Sequence, residues 1–139
     1  MAWKLELVLL PVADVDRAKA FYVDRAGFEL QVDHRSGDSF RIVQVTPPGS
    51  ACSIGFGTGL LELPQGSVRG LHLVVPDIEA AHAALAGRGV AVEAIRHLES
   101  GEWVAGPHPD HDDYESFAAF SDPDGNSWVL QEVGWRAPR

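Results

Sequence analysis

Two βαβββ modules in an α+β fold are what this sequence predicts, and three observations predict it. A segment near the start returns in the second half, each copy carries an aspartate where a helix begins, and turn-forming residues cut the rest into short apolar runs. The first copy reads Val12-Ala13-Asp14-Val15-Asp16-Arg17-Ala18-Lys19-Ala20-Phe21-Tyr22. The second reads Val75-Pro76-Asp77-Ile78-Glu79-Ala80-Ala81-His82-Ala83-Ala84-Leu85, so that Asp14 matches Asp77, Ala18 matches Ala81 and Ala20 matches Ala83.

The elements follow in order. Leu5–Val12 is an apolar run with the character of a strand. Asp14 then supplies a carboxylate for the free first-turn N–H groups of a helix, which Gly27 ends by taking the left-handed conformation. Strands are predicted at Phe28–His34, Phe40–Val45 and Ala51–Phe56, divided by Arg35-Ser36-Gly37-Asp38 and Pro47-Pro48-Gly49-Ser50. Module one thus spans residues 4–57, and residues 58–68 form a linker. Module two, residues 69–134, repeats the plan with a strand at Leu71–Val75 and a helix from Asp77 to Gly89. Its further strands are predicted at Val90–Ile95, Ser116–Phe120 and Trp128–Val133. Asp122-Pro123-Asp124-Gly125-Asn126 is a strong turn signal between the last two. His97–Glu115 is an insertion peculiar to this module, and residues 1–139 form one domain.

Composition narrows the class. At 139 residues and 45% hydrophobic, the chain has enough apolar side chain to bury a core. A formal charge of -9 argues against nucleic acid and against anionic membrane surfaces, and leaves neutral or cationic small molecules as the easier partners. Cys52 is the single cysteine, so no intrachain disulfide is available and a reducing, cytoplasmic setting is expected. Glu6 interrupts the first apolar run and no cleavage site follows, which reads as a strand and not as a signal peptide.

The strand followed by Val12-Ala13-Asp14-Val15-Asp16-Arg17-Ala18, then Phe21-Tyr22 and Gly27-Phe28, resembles the opening of a vicinal-oxygen-chelate protein. The closing Phe120-Ser121-Asp122-Pro123-Asp124-Gly125-Asn126 run is similar to that superfamily as well, which gathers glyoxalases, bleomycin-resistance proteins and dioxygenases. The resemblance implies paired curved mixed sheets around a concave pocket, and a homodimer. It also implies where metal-using members would place ligands, on the first and last strands of each half. Those positions fall on Leu7, on Gly70 or two residues on at His72, on Ser53 or Gly55, and on Val129. Leu, Gly and Val have no donor atom and a Ser hydroxyl is a poor ligand for a divalent ion, so no metal and no other cofactor is expected.

Period-two alternation indicates what else the inner face carries. Val8, Leu10, Val43, Val45, Cys52, Ile54, Trp128 and Leu130 read as the helix-packed side, which turns Leu7, Leu9, Phe40, Gln44, Ser53, His72 and Gln131 toward a ligand. A few polar groups among apolar ones is the usual make-up of a small-molecule pocket. His72 is the inward group able to move a proton near neutral pH, either as a catalytic base or as a plain ligand contact. In the insertion, Trp103 and Tyr114 either stack on a planar ligand as part of a lid or cap the sheet edge. His108, Asp110, His111, Asp112 and Asp113 form no standard metal spacing and read first as a solvated acidic loop.

The leading expectation is a metal-free binding protein, resembling the bleomycin-resistance branch, that sequesters an aromatic or cationic small molecule. The alternative is an enzyme of glyoxalase or dioxygenase type, a lyase or isomerase, working through His72 or through a relocated metal site.

Overall fold

Aspartates open both helices of the structure, a computed structural model that describes residues 1–136. Asp14 precedes α1 (Val15–Ala20) and accepts from the Arg17 N–H at 3.0 Å, while Asp77 precedes α2 (Ile78–Gly87) and accepts from the Ala80 N–H at 3.0 Å. Gly27 and Gly89 follow the helical segments with φ of 79° and 86°, a backbone that a side chain would strain. Between α1 and Gly27 the chain widens into a π-helical turn, Phe21–Arg25.

Among the described residues, nine strands form two mixed sheets. The first contains β1 (Leu7–Leu9), β2 (Glu29–Ser36), β3 (Phe40–Thr46) and β4 (Ser53–Thr58) in the order β1-β4-β3-β2. The second contains β5 (Leu71–Val75), β6 (Arg96–Glu99), β7 (Glu102–Ala105), β8 (Ser116–Ser121) and β9 (Ser127–Glu132) in the order β5-β9-β8-β6-β7. In each, the strand before the helix pairs parallel with the last strand and the other pairings are antiparallel. The fold is α+β, as the repeat predicts. The chain divides into two compact units, one of Met1–Arg69 with the 122–126 turn, the other of Gly70–Ser121 with the chain from Ser127 onward.

In the first unit, Val43, Val45, Ile54 and Phe56 are buried together with Leu10, Ala18 and Phe28. Tyr22 is fully buried at the centre, its ring 5.0 to 5.6 Å from those of Phe21, Phe28 and Phe56. A phenol so deep needs a partner. Its hydroxyl donates to Asp122 Oδ2 at 2.7 Å, and the same carboxylate accepts from the Asp124 and Asn126 N–H groups and from the Asn126 side chain. Asn126 in turn donates to the Pro11 carbonyl at 3.0 Å. The turn motif therefore acts as a polar plug within this unit.

In the second unit, Ile78, Leu85, Val90, Ala118, Phe120, Trp128 and Leu130 are buried, and Phe120 stacks on Trp128 with the rings 6° from parallel. Glu132 is fully buried and caps α2 from outside its own chain segment, accepting from the Ile78 N–H at 2.9 Å and meeting His111 Nδ1 at 2.8 Å.

One expectation shifts. Val90–Ile95, read as a strand from its β-branched alternation, meets the sheet sparsely: the Glu93 N–H donates to the Ala119 carbonyl, and the Ile95 carbonyl accepts from the Gly106 N–H at the foot of the hairpin. The strand comes later, as β6, and turns directly into β7. Glu99 and Glu102 face each other across a two-residue loop in which Ser100 and Gly101 have φ of 51° and 80°. Two positive φ values are what a type I′ turn requires, and its twist suits a hairpin. The first half of the insertion is thus part of the sheet.

Replacing Tyr22 by Phe leaves the buried Asp122 carboxylate without one of its donors. Chemical denaturation should show a loss of about 1–3 kcal/mol, and an unchanged midpoint would mean that the plug does not stabilise the unit.

Candidate functional site

Strand alternation separates the two faces of the second sheet. On one face Ala118, Phe120, Trp128, Leu130 and Glu132 are buried with α2. The intervening residues, Phe117, Ala119, Val129 and Gln131, are half-buried and turn the other way. The register brings His72 opposite Val129, Val129 opposite Ala119, Arg96 opposite Phe117, and Leu98 opposite Trp103. These side chains line a hollow of about 310 Å³ on the open face.

Its floor is Phe117, Ala119 and Val129, and its wall is Trp103 with Leu98. The Trp103 ring stands edge-on to Phe117 at 5.4 Å and is 48% exposed. The Arg96 guanidinium lies over the Trp103 ring at 3.8 Å, a cation–π contact that holds both planes together. His72 enters from the opposite edge strand, exposed, with Nδ1 2.7 Å from the Gly70 carbonyl. A carbonyl only accepts, so Nδ1 carries the proton in the neutral ring and Nε2 keeps its lone pair. Among the described residues no carboxylate pairs with His72.

Of the residues read from the sequence, His72 and Trp103 share this hollow. The others lie elsewhere. Leu7 and Leu9 are half-buried on β1 in the first unit, where their methyl groups sit against Gly55. Gln44 lies on β3 opposite Gly55 and Val32. Ser53 is buried, and its hydroxyl is 2.6 Å from that of Thr46. Phe40 borders a polar groove of about 370 Å³ with Asp14, Asp16, Arg35 and Arg41. There Arg41 is paired with two carboxylates, through two bonds of 3.0 Å to Asp33 and one of 2.8 Å to Asp16. The guanidinium holds Asp33 well below the usual carboxylate range, so this groove's central charges are spent on one another. Gln131 donates to the Tyr114 carbonyl at 3.3 Å, and Tyr114 itself is 60% exposed with φ of 68°. Arg96 and Leu98 escaped the sequence reading because the strand was set six residues early, and the Ser100-Gly101 pair was the signal for the hairpin that carries them; Phe117 lies on a strand that the sequence does predict, Ser116–Phe120, where its alternation with Ala118 and Phe120 was the signal.

The insertion's histidines have defined partners. The donor atoms of His108, Asp110 and Asp112 come within 4.8 Å of one another. However, His108 Nδ1 accepts the Asp110 N–H at 3.1 Å, which leaves the ring proton on Nε2 facing Asp112. Arg136 already lies 3.5 Å from that carboxylate. As folded, the ring has no lone pair to spare for a cation.

The scan of protein families agrees with this architecture, matching residues 4–130 to the glyoxalase/bleomycin resistance protein/dioxygenase superfamily. The chain belongs to that superfamily. Among solved structures it is similar to TnmS3, an antibiotic binding protein from Streptomyces sp. CB03234, with 36% identity, 94% of this chain and 96% of that one covered, and a TM-score of 0.72. A glyoxalase/bleomycin resistance protein from the same organism has 37% identity over 92% of this chain and 99% of that one, with a TM-score of 0.70. Among curated proteins, the uncharacterized protein YetH of Bacillus subtilis is 24% identical, covering 95% of this chain and all of its own.

The positions to which the resemblance assigns metal ligands do not make up a metal site. Leu7 and Val129 lack donor atoms, and the Ser53 hydroxyl is engaged by Thr46. The remaining position falls on Gly70 or on His72, and the register favours His72, which lies opposite Val129 as Leu7 lies opposite Ser53. One imidazole is too few donors to hold a divalent ion.

On the sheet face away from the hollow, His97 is buried with Nδ1 2.7 Å from the Gly106 carbonyl and Nε2 3.2 Å from Glu99, edge-on to His108. The Gly106 carbonyl, then Glu99, raise its pKa above the ordinary value of about 6.5, against the opposing effect of burial. The folded state thus binds the proton more tightly than the unfolded chain. Its contribution is complete below about pH 6.5 and fades as the pH rises through the raised folded value. Denaturation of the protein and of His97→Gln should show a stability gap that narrows from acid to mildly alkaline pH; a gap that is constant or widens contradicts the assignment.

Proposed function

We propose that the protein binds a planar aromatic small molecule on the open face of its second sheet. The observation that carries this reading is the hollow itself. An apolar floor, a half-exposed indole standing edge-on to a phenyl ring, and an imidazole and a guanidinium at its rim form a surface suited to stacking. Trp103 is set in place by Arg96 and Phe117 before any ligand arrives, so little side-chain freedom is lost on binding. The similarity to an antibiotic binding protein supports small-molecule binding, and the shortage of donor atoms at the positions that the resemblance assigns to metal ligands, where a nitrogen comes at most from His72, supports binding without a metal.

An enzymatic reading rests on one feature, the Nε2 lone pair of His72 at the hollow. A base without an acidic partner to orient it is a weak catalyst, which places this reading second. Turnover of a bound compound that is lost in His72→Ala while binding persists would move it to first.

Titration with 2-naphthamide, followed by calorimetry, tests the leading reading. Trp103→Ala should weaken binding by roughly fivefold to tenfold, since an aromatic wall contributes about 1 kcal/mol or more. Trp3→Ala, at an exposed site in the first unit, should leave it unchanged. Equal affinity of the protein and of the Trp103 variant would contradict the site.

A further inference from the structure

We propose that the ligand of this hollow carries an anionic oxygen and that Arg96 receives it, an inference that rests on the reading of the hollow as a ligand site. The overall charge of -9 points the other way, toward a cationic ligand, but charge at the site is set by what lines it. No acidic side chain lines the hollow; its charged residue is Arg96.

Arg96 differs from the arginines that serve the fold. Arg41 is held by Asp33 and Asp16, Arg17 by Asp124, and Arg136 by Asp112. Among the described residues, the Arg96 side chain makes no hydrogen bond or ion pair, and its defined contact is the Trp103 ring. Stacking occupies the face of the guanidinium and leaves its N–H edge for an acceptor. That edge matches a carboxylate, or an ionised hydroxyl on a conjugated ring, in the plane of the stack.

The hairpin keeps its own carboxylates off this side. Arg96 and Leu98 alternate with His97 and Glu99, and Glu99 is turned to His97 at 3.2 Å on the opposite face. Glu102 is the cross-strand partner of Glu99 and shares its face, as Trp103 shares the face of Leu98. Two carboxylates and one guanidinium on a hairpin of two four-residue strands are thereby sorted, acids to one side and the cation to the other. A cation entering the hollow would meet Arg96 with no counter-charge. An anion would meet a donor that no side chain among the described residues has taken.

Calorimetry of the full chain with three probes of one shape separates the charges: 2-naphthoate, 2-naphthamide and (2-naphthyl)methylammonium. The naphthoate should bind roughly tenfold tighter than the amide, as a charge-assisted hydrogen bond permits, and the ammonium should bind weakest. Arg96→Gln, which also loses the support of Trp103, should weaken both probes but naphthoate more, so that the naphthoate-to-amide ratio falls to about one, and Arg96→Lys should keep part of the preference. The proposal is overturned if the ammonium binds as tightly as the naphthoate, or if Arg96→Gln leaves the naphthoate-to-amide ratio unchanged. Binding of naphthamide that is lost in Trp103→Ala, without any preference for naphthoate, would sink the charge inference and leave the ligand site standing. Failure of all three probes to bind would overturn the site itself, and this inference with it.

Discussion

A sheet that carries one helix can bury one of its faces under that helix, and everything proposed for this protein depends on that limit. In the second unit, α2 lies with Ala118, Phe120, Trp128, Leu130 and the capping Glu132. Alternation then obliges Phe117, Ala119, Val129 and Gln131 to turn away from it. A hairpin extending that sheet adds Arg96, Leu98 and Trp103 to the same side. The hollow is thus the by-product of a core built on the other face.

The polar groups that stabilise the units are spent. Asp122 accepts from a phenol, a carboxamide and two backbone N–H groups; Arg41 satisfies two carboxylates; buried Glu132 holds a helix start and a histidine. Such groups rigidify a fold and have little left for a ligand. His72 and Arg96 are the contrast. One has a ring nitrogen whose lone pair is unused, and the other is stacked but not paired. Function here is read from the polar groups that the fold does not consume.

Much of the fold was legible in the sequence because it is written in short-range chemistry. Asp14 and Asp77 cap helices, Gly27 and Gly89 end them, and Asp122 to Asn126 make a turn, each for reasons confined to a few residues. The site was legible in part. His72 was reached by alternation and Trp103 as an aromatic of the insertion, whereas Arg96 was not reached, since the β-branched run at 90–95 outweighed the Ser100-Gly101 turn signal that fixes where the strand lies; Phe117 was open to the same alternation on Ser116–Phe120. Ser53 shows another boundary. Its place on β4 follows from parity, yet only the structure shows that Thr46 engages its hydroxyl. Net charge misleads in a related way. It describes the field at a distance, screened beyond about 8 Å at physiological ionic strength, while the lining of the hollow is basic and apolar.

The claim that the open face of the second sheet is the ligand surface has a direct test in the amide spectrum of isotopically labelled protein. With 2-naphthoate added, the amides of Leu71–Leu73, Arg96–Leu98, Phe117–Ala119 and Val129 should shift with a common saturation curve. Those of residues 13–16 and 35–41, around the polar groove of the first unit, should stay in place. Shifts concentrated in the groove, with the second sheet unmoved, would contradict the account.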